Sequence, residues 1–358
     1  MRARGSRVAG PSTRAFALRL FVGLGIASTM GCGLVARQAR VFTDGPAPAR
    51  KADLATLYAK DARLSALWIG HASVLVRMDD RFFLADPVLG NQVGAFSRRL
   101  VAAGITAEEL PPAVTVLISH AHFDHLSVGT LSQIDAKVRR AYVPVGAACY
   151  LPNVAFDARE LGAFQSVDDL GFKVTAVPVK HRGGRYGADE MWNEETFTGY
   201  VVEYHGLTVF FGGDTGYDGA LWKSVKKRFP SIDLAILPIG PIHPRPFMRG
   251  MHVDGYEAVS TFQDLGAKYM LPMHFATFIN STDDDGEDLA RFQDAVKQAK
   301  VEPSRALPLV AGEAHVYVKK DADDTTSEPK KRALAEEPVP DAPKSDAKKD
   351  DDDTRLGD

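Results

Sequence analysis

Residues 117–126 read LISHAHFDHL, which puts His120, His122, Asp124 and His125 within six positions directly after an apolar run. Imidazole nitrogens and carboxylate oxygens, with no thiolate, suit a catalytic zinc, iron or manganese ion; structural zinc usually takes cysteine. His120 and His122 are two apart, so on an extended segment both rings point the same way. Asp124 and His125 come after a turn and can face the other side of the same hole. A lone histidine is more often a satisfied core residue, and Asp124 alone could cap a helix beginning near Leu126. The density of H-x-H-x-D-H argues against that account.

Three further apolar runs end the same way. FKVTAVPVK (172–180) leads into His181, LTVFFGG (207–213) into Asp214, and YMLPM (269–273) into His274. Four strand-like runs, each closing on a histidine or aspartate, imply ends that converge on one pocket. Other runs with strand character are 66–70, 73–78, 82–86, 141–145, 199–204, 234–240 and 315–319; with 114–119, which leads into His120, they are rich in Val, Ile and aromatics and punctuated by Gly, Pro or Asp. Residues 254–266 and 286–299 carry apolar residues at helical spacing. Strands with interspersed helices predict an α/β sandwich of two packed sheets.

The chain has 358 residues, a net charge of −3 and two cysteines, Cys32 and Cys149. That composition excludes a disulfide framework and a cysteine-rich zinc site. It also gives no basic surface for nucleic acid. Cys149 reads as a buried small hydrophobe. Residues 1–32 read as a secretory signal: five arginines precede LFVGLGIA, and STMGCG follows. That segment resembles a lipobox with Cys32 as the lipidated residue, which predicts a lipoprotein of the cell envelope; the alternative is a secreted or periplasmic protein. Residues 33–64 read as a linker and short helix, 65–319 as the folded domain, and 320–358 as a charged, proline-bearing tail without aromatics.

The set H-A-H-F-D-H, His181, Asp214 and His274, with Asp86-Pro87 upstream, resembles the metallo-β-lactamase fold superfamily. That resemblance implies an αββα sandwich of two mixed sheets with two divalent metal ions, zinc, at one rim. Carried over by position, His120, His122 and His181 hold one ion, Asp124, His125 and His274 the second, and Asp214 bridges them. A narrower likeness runs through WIGHASVLV (68–76), LADPVL (84–89), FFGGDTGY (210–217), LPIGPIHPRPFM (237–248), HVDGYEAV (252–259) and MHFATF (273–278). In that order they resemble the phospholipases D that hydrolyse N-acylphosphatidylethanolamine, and their bacterial relatives. The chain departs from that pattern at Gly240-Pro241-Ile242-His243, where the family has Gly-Ala-Tyr-Glu, and at Arg182, where it has Trp. Those changes touch the substrate wall and leave the metal residues alone.

The implied activity is a phosphodiesterase acting on such phospholipids, with a lactonase or other hydrolase of a small-molecule ester as the alternative. Asp124 is expected to orient the nucleophile as well as bind metal. Asp86 is expected to accept from the N–H of a ligand imidazole and fix its tautomer. His71 in GHAS is expected to line the pocket or be a buried histidine tied to backbone. Arg245 is expected to hold a phosphate oxygen, or to form a structural ion pair; His252 joins it as a substrate residue. The loop 88–105 mixes Phe96, Leu100 and Val101 with Arg98 and Arg99, and is expected at the surface, where it could touch a membrane.

Overall fold

The computed structural model describes residues 43–94, 97–169, 171–185 and 196–320. Cys32, the signal-like segment, Phe96 and the tail beyond Lys320 lie outside the described residues.

Two sheets form the centre. The first contains β1 (Ala62–Gly70), β2 (Ser73–Met78), β3 (Arg81–Ala85), β6 (Val114–Leu117), β7 (Val138–Pro144), β8 (Asp157–Leu161) and β15 (Ala314–Lys319). Its order is β15-β1-β2-β3-β6-β7-β8. The second contains β9 (Ser166–Asp169), β10 (Phe172–Val177), β11 (Gly199–Tyr204), β12 (Leu207–Phe211), β13 (Leu234–Pro238) and β14 (Tyr269–Met273), in the order β14-β13-β12-β11-β10-β9. A small ribbon pairs β4 (Gln92–Val93) with β5 (Ser97–Arg98). Both large sheets are mixed. β3, β6, β7 and β8 run parallel, as do β12, β13 and β14, and the remaining neighbours are antiparallel.

Alternation along β1 to β3 decides the layering. Leu64, Ala66, Trp68, Val74, Val76, Met78 and Phe83 join the main core with Val174, Tyr200 and Val209 of the second sheet. Leu67, Ile69, Leu75 and Leu84 point the other way, into a separate cluster with Leu57, Leu131 and Ile134. Those last three lie on or beside α1 (Leu54–Leu57) and α2 (Val128–Ile134). The second sheet is covered by α3 (Gly219–Arg228), α5 (Gly255–Leu265) and α6 (Glu287–Gln298), through Trp222, Phe262 and Phe292. A short α4 (Arg245–Met248) precedes α5. This is the expected αββα sandwich.

Several boundaries differ from the sequence reading. β1 begins at Ala62, and Leu57, on the short helix α1, is fully buried, so the folded body reaches into the segment read as linker and short helix. β8 and β9 were not foreseen, because DAREL and SVDD carry more charge than apolar surface. Cys149 is exposed, not a core residue: its neighbourhood is a short 3₁₀ turn at the surface, where Sγ donates to the Gly146 carbonyl at 3.2 Å. Arg99, expected on a surface loop, is buried. Its guanidinium donates to the carbonyls of Gly90 and Val88 and lies over the Phe278 ring. Among the described residues no helix is long and apolar enough to cross a membrane.

The α5–α6 contact leaves no room for a side chain at Gly255. A Cβ there would sit 2.4 Å from the backbone nitrogen of Phe292. Gly255→Ala is therefore expected to lower unfolding stability by about 1–3 kcal/mol, the usual cost of overpacking. Urea unfolding followed by circular dichroism measures this, and an unchanged midpoint would contradict the packing described.

Candidate metal centre

The segments that carry the expected site residues leave the sheets at one edge. β3 ends before Asp86, β6 before Ser119 and His120, β10 before His181, β12 before Asp214, β14 before His274, and the β1–β2 turn carries His71. The two sheet edges are tied together there. Thr198 N–H donates to the Ser119 carbonyl at 2.8 Å, and the buried Tyr200 hydroxyl donates to Ile118 at 2.9 Å. Gly213 makes the approach possible: its φ is +55°, and a Cβ would stand 2.4 Å from that of Ser119.

Two groups of donor atoms face each other. In the first, His120 Nε2 is 2.9 Å from His122 Nδ1, which is 3.4 Å from His181 Nε2. In the second, His125 Nε2 is 3.4 Å from His274 Nε2, and these stand 3.9 and 3.8 Å from Asp124 Oδ2. Asp214 Oδ2 lies between the groups: 3.2 Å from both His125 and His274, 3.8 Å from His120 and 4.0 Å from His181. Ligands placed tetrahedrally about 2.0–2.1 Å from zinc stand roughly 3.3 Å apart. The observed spacings bracket that figure, so the donors fit divalent ions. Asp214 Oδ1, His252 Nδ1 and His274 Nδ1 are also buried with no hydrogen-bond partner, where buried polar atoms normally have one.

Hydrogen bonds behind the rings set which nitrogen faces the centre. His125 Nδ1–H donates to Asp86 Oδ2 at 2.7 Å, His120 Nδ1–H to Ser119 Oγ at 2.9 Å, and His181 Nδ1–H to the Met251 carbonyl at 3.0 Å. Each bond leaves the Nε2 lone pair directed inward. Asp86 is fully buried and also accepts from Ser119 N–H at 2.7 Å and Ser119 Oγ–H at 2.6 Å. Ser119 went unmarked in the sequence, although it sits beside the motif; nothing local says that its hydroxyl joins a carboxylate to an imidazole.

The remaining expected residues fall at different distances from the centre. His71 has its backbone pinned by Thr277 and Trp68, and its Nε2 lies 2.9 Å from Asp124 Oδ2. It could equally serve as a ligand beside Asp124, His125 and His274. His252 Nδ1 lies 3.6 Å from Asp214 Oδ2, within the same gathering of donors as His181. Arg245 is drawn away from the centre. It pairs with Glu257, stands 3.8 Å from Asp254, and donates to the His252 carbonyl at 3.0 Å. That is the structural ion pair, not an open clamp, and its effect on the site passes through His252.

Burial holds His71 down to about 3 and His252 down to about 4. Burial likewise keeps His120, His122 and His181 below the ordinary imidazole value. His125 goes the other way. Burial would depress it, but Asp214, Asp124 and Asp86 outweigh that and push it well above. Burial would raise Asp124 and Asp214, yet the surrounding imidazoles, His125 first, hold both well below the carboxylate range.

Comparison with known proteins adds kinship to this geometry. A family model described as a beta-lactamase superfamily domain matches residues 81–275. The chain is 28% identical over 235 residues to N-acyl-phosphatidylethanolamine-hydrolyzing phospholipase D 1 of Caenorhabditis elegans, covering 61% of this chain and 65% of that protein. It is 30% identical over 240 residues to a metal-dependent hydrolase of Pelotomaculum thermopropionicum, covering 66% of this chain and 93% of that one. Among solved structures, the isothiocyanate hydrolase from Delia radicum gut bacteria superposes with a TM-score of 0.56 at 17% identity, covering 71% of this chain and 99% of that one. The metallo hydrolase Igni18 of Ignicoccus hospitalis gives 0.52 at 18%, covering 72% and 98%. At such identities the structural likeness speaks for the fold alone.

The hydrogen bonds and charges of the centre generate separate expectations. Asp86→Ala should weaken divalent-metal binding about 10–100-fold, the usual effect of losing a partner behind a ligand imidazole; chelator competition measures it, and unchanged affinity would remove Asp86 from that role. The metal-free protein should lose stability as pH falls from about 6.5 toward 4. His71 and His252 have lower pKa values folded than unfolded, so below about 6.5 the unfolded chain binds more protons and is favoured. His125 opposes this, being stabilising at low pH and losing that contribution as pH rises, but it stands against five depressed imidazoles. Chelator-treated protein should therefore unfold at lower urea at pH 5.5 than at pH 7.5, and a higher midpoint at pH 5.5 would reverse the reading.

Proposed function

The chain belongs to the beta-lactamase superfamily as a metal-dependent hydrolase, and we propose that it is a binuclear phosphodiesterase of phospholipase D type acting on N-acylphosphatidylethanolamine-like phospholipids. The position of Asp214 Oδ2 between the two donor groups carries the binuclear part. On this reading His120, His122 and His181 hold one zinc ion, Asp124, His125 and His274 hold the other, and Asp214 is shared. When bound, such a pair lowers the pKa of a water to about 7 and neutralises charge developing on the phosphoryl oxygens.

The chain's own residues supply the rest. Asp124 has a side chain 22% exposed against 2% for Asp214 and 0% for Asp86, so it is the carboxylate that an attacking water can reach. Its Oδ2 is fixed by His71, which leaves Oδ1 to accept a hydrogen bond from the nucleophile and orient it. His71 is neutral at pH 7 and donates to Asp124 without adding charge. His252, also neutral at pH 7, stands 3.6 Å from Asp214 Oδ2 with its buried Nδ1 unpaired, and can donate a hydrogen bond to a substrate oxygen.

The ordered motif set and the 28% likeness to the nematode phospholipase support the phospholipid substrate. A second reading, hydrolysis of a lactone or other small ester by the same residues, is favoured by the relative at 30% identity that is matched over 93% of its length and described only as a metal-dependent hydrolase. Purified, metal-loaded protein should release N-acylethanolamine from N-acylphosphatidylethanolamine. His122→Ala should lose more than the ~10–100-fold expected for a residue behind the ligands. Intact phospholipid together with an opened lactone would give the second reading the substrate.

A further inference from the structure

Arg185 lies outside the ligand set, four residues beyond His181, yet its side chain is buried against the loop that carries much of that set. Its Nη1 donates to the carbonyl of Ala121 at 2.7 Å and to that of Leu126 at 2.8 Å. Its guanidinium also lies over the Phe123 ring, 4.3 Å from the centroid. The first carbonyl immediately precedes His122 and the second immediately follows His125. One nitrogen therefore closes the segment that contains His122, Asp124 and His125.

This segment cannot take its shape from the sheet. β6 ends at Leu117, and within the turn that follows His125 N–H and Leu126 N–H donate to the His122 carbonyl, at 3.1 and 2.9 Å. Those bonds wind residues 122–126 into one turn. Arg185 holds that turn from outside, through the carbonyls of Ala121 and Leu126 that flank the donors and through the ring of Phe123, the residue among 122–125 that offers no metal donor. A guanidinium suits the task because it is permanently charged and donates in a fixed plane.

We propose that Arg185 is a positioning residue that presets the 122–125 loop for metal capture by bracing the Ala121 and Leu126 carbonyls. The inference rests on the reading that these residues hold the metals. Each cation position draws on the braced segment, the first through His122 and the second through Asp124 and His125, so both should weaken when the brace is lost.

The test is cobalt(II) binding, followed by its visible absorption and by chelator competition, in the wild type, Arg185→Ala and Arg185→Lys. The thermal midpoint of each metal-free protein is measured alongside. In Arg185→Ala both equivalents should bind about 10–100-fold more weakly, with altered cobalt absorption. Added methylguanidinium should restore part of the loss, because it can occupy the vacated space and donate to the same carbonyls. Arg185→Lys, with one ammonium within reach of both carbonyls, should fall between. The proposal is overturned if Arg185→Ala binds cobalt as tightly as the wild type. It is overturned equally if affinity falls only alongside a lost metal-free fold and neither lysine nor methylguanidinium recovers it. A wild type that takes up no cobalt would overturn the metal-centre reading itself, which keeps the two failures apart.

Discussion

Donors from six separate segments meet at one point because the strands that deliver them run the same way. β1 and β3 each pair antiparallel with β2 and so point in one direction, and β6 joins β3 in parallel. β10 and β12 share a direction through β11, and β13 and β14 follow β12 in parallel. The C-terminal ends that carry His71, Asp86, His120, His181, Asp214 and His274 therefore all face one edge. Reversing any one of these strands would carry its ligand to the opposite edge, roughly 17 Å away for five residues. Loop composition could not make up that distance. The site is thus a consequence of topology before it is a consequence of side-chain packing.

Gathering imidazoles in this way is costly without a charge to organise them. Each ring whose Nδ1–H is bonded to Asp86, Ser119 or Met251 presents an Nε2 lone pair to the others. Lone pairs 2.9–3.4 Å apart repel unless something positive lies between them. In the metal-free protein His125 answers this by holding a proton, surrounded as it is by Asp214, Asp124 and Asp86. The nitrogen that would bind a cation is then the nitrogen that binds a proton. Proton and metal compete for the same lone pair, and metal uptake must release the proton. Asp214 and Asp124 stay ionised in either state.

The parts of this arrangement that were legible in the sequence are those that chemistry writes locally. H-x-H-x-D-H, the strand-final His181, Asp214 and His274, and the apolar runs of β2, β11 and β14 announce themselves by residue type. Other features depend on partners distant in sequence. α3 was not foreseen because GALWKSVKKR buries only Trp222 and Val225 and is otherwise a basic surface. Arg99 reads as a loop cation because nothing near it in sequence says that the carbonyls of Val88 and Gly90 will surround it. Ser119 looks like any strand-end serine until Asp86, 33 residues earlier, is folded against it. Arg245 could be read as a phosphate clamp or as an ion pair, and only the position of Glu257 on α5 decides.

The residues that depart from the phospholipase pattern sit on a differently supported part of the protein. Ile242 N–H and His243 N–H donate to Asp283 at 2.8 and 2.7 Å, and His243 Nε2 lies 3.0 Å from Glu287 at the start of α6. Further along, Arg245 is fastened to Glu257 of α5 and to the His252 carbonyl. The segment between β13 and α5 thus hangs from two helices, whereas the metal ligands hang from strand ends. It meets the centre through the His252 ring, 3.6 Å from Asp214, and at two backbone points: the Met251 carbonyl accepts from His181, and Val253 N–H donates to the Thr215 carbonyl at 2.8 Å. The backbone latches at Met251 and Val253 do not involve the side chains of 241–248. Such a division fits functional loops carried on a rigid scaffold. It gives a physical reason why the residues that depart from the phospholipase pattern are carried on a helix-supported loop, apart from the strand-end histidines and aspartates.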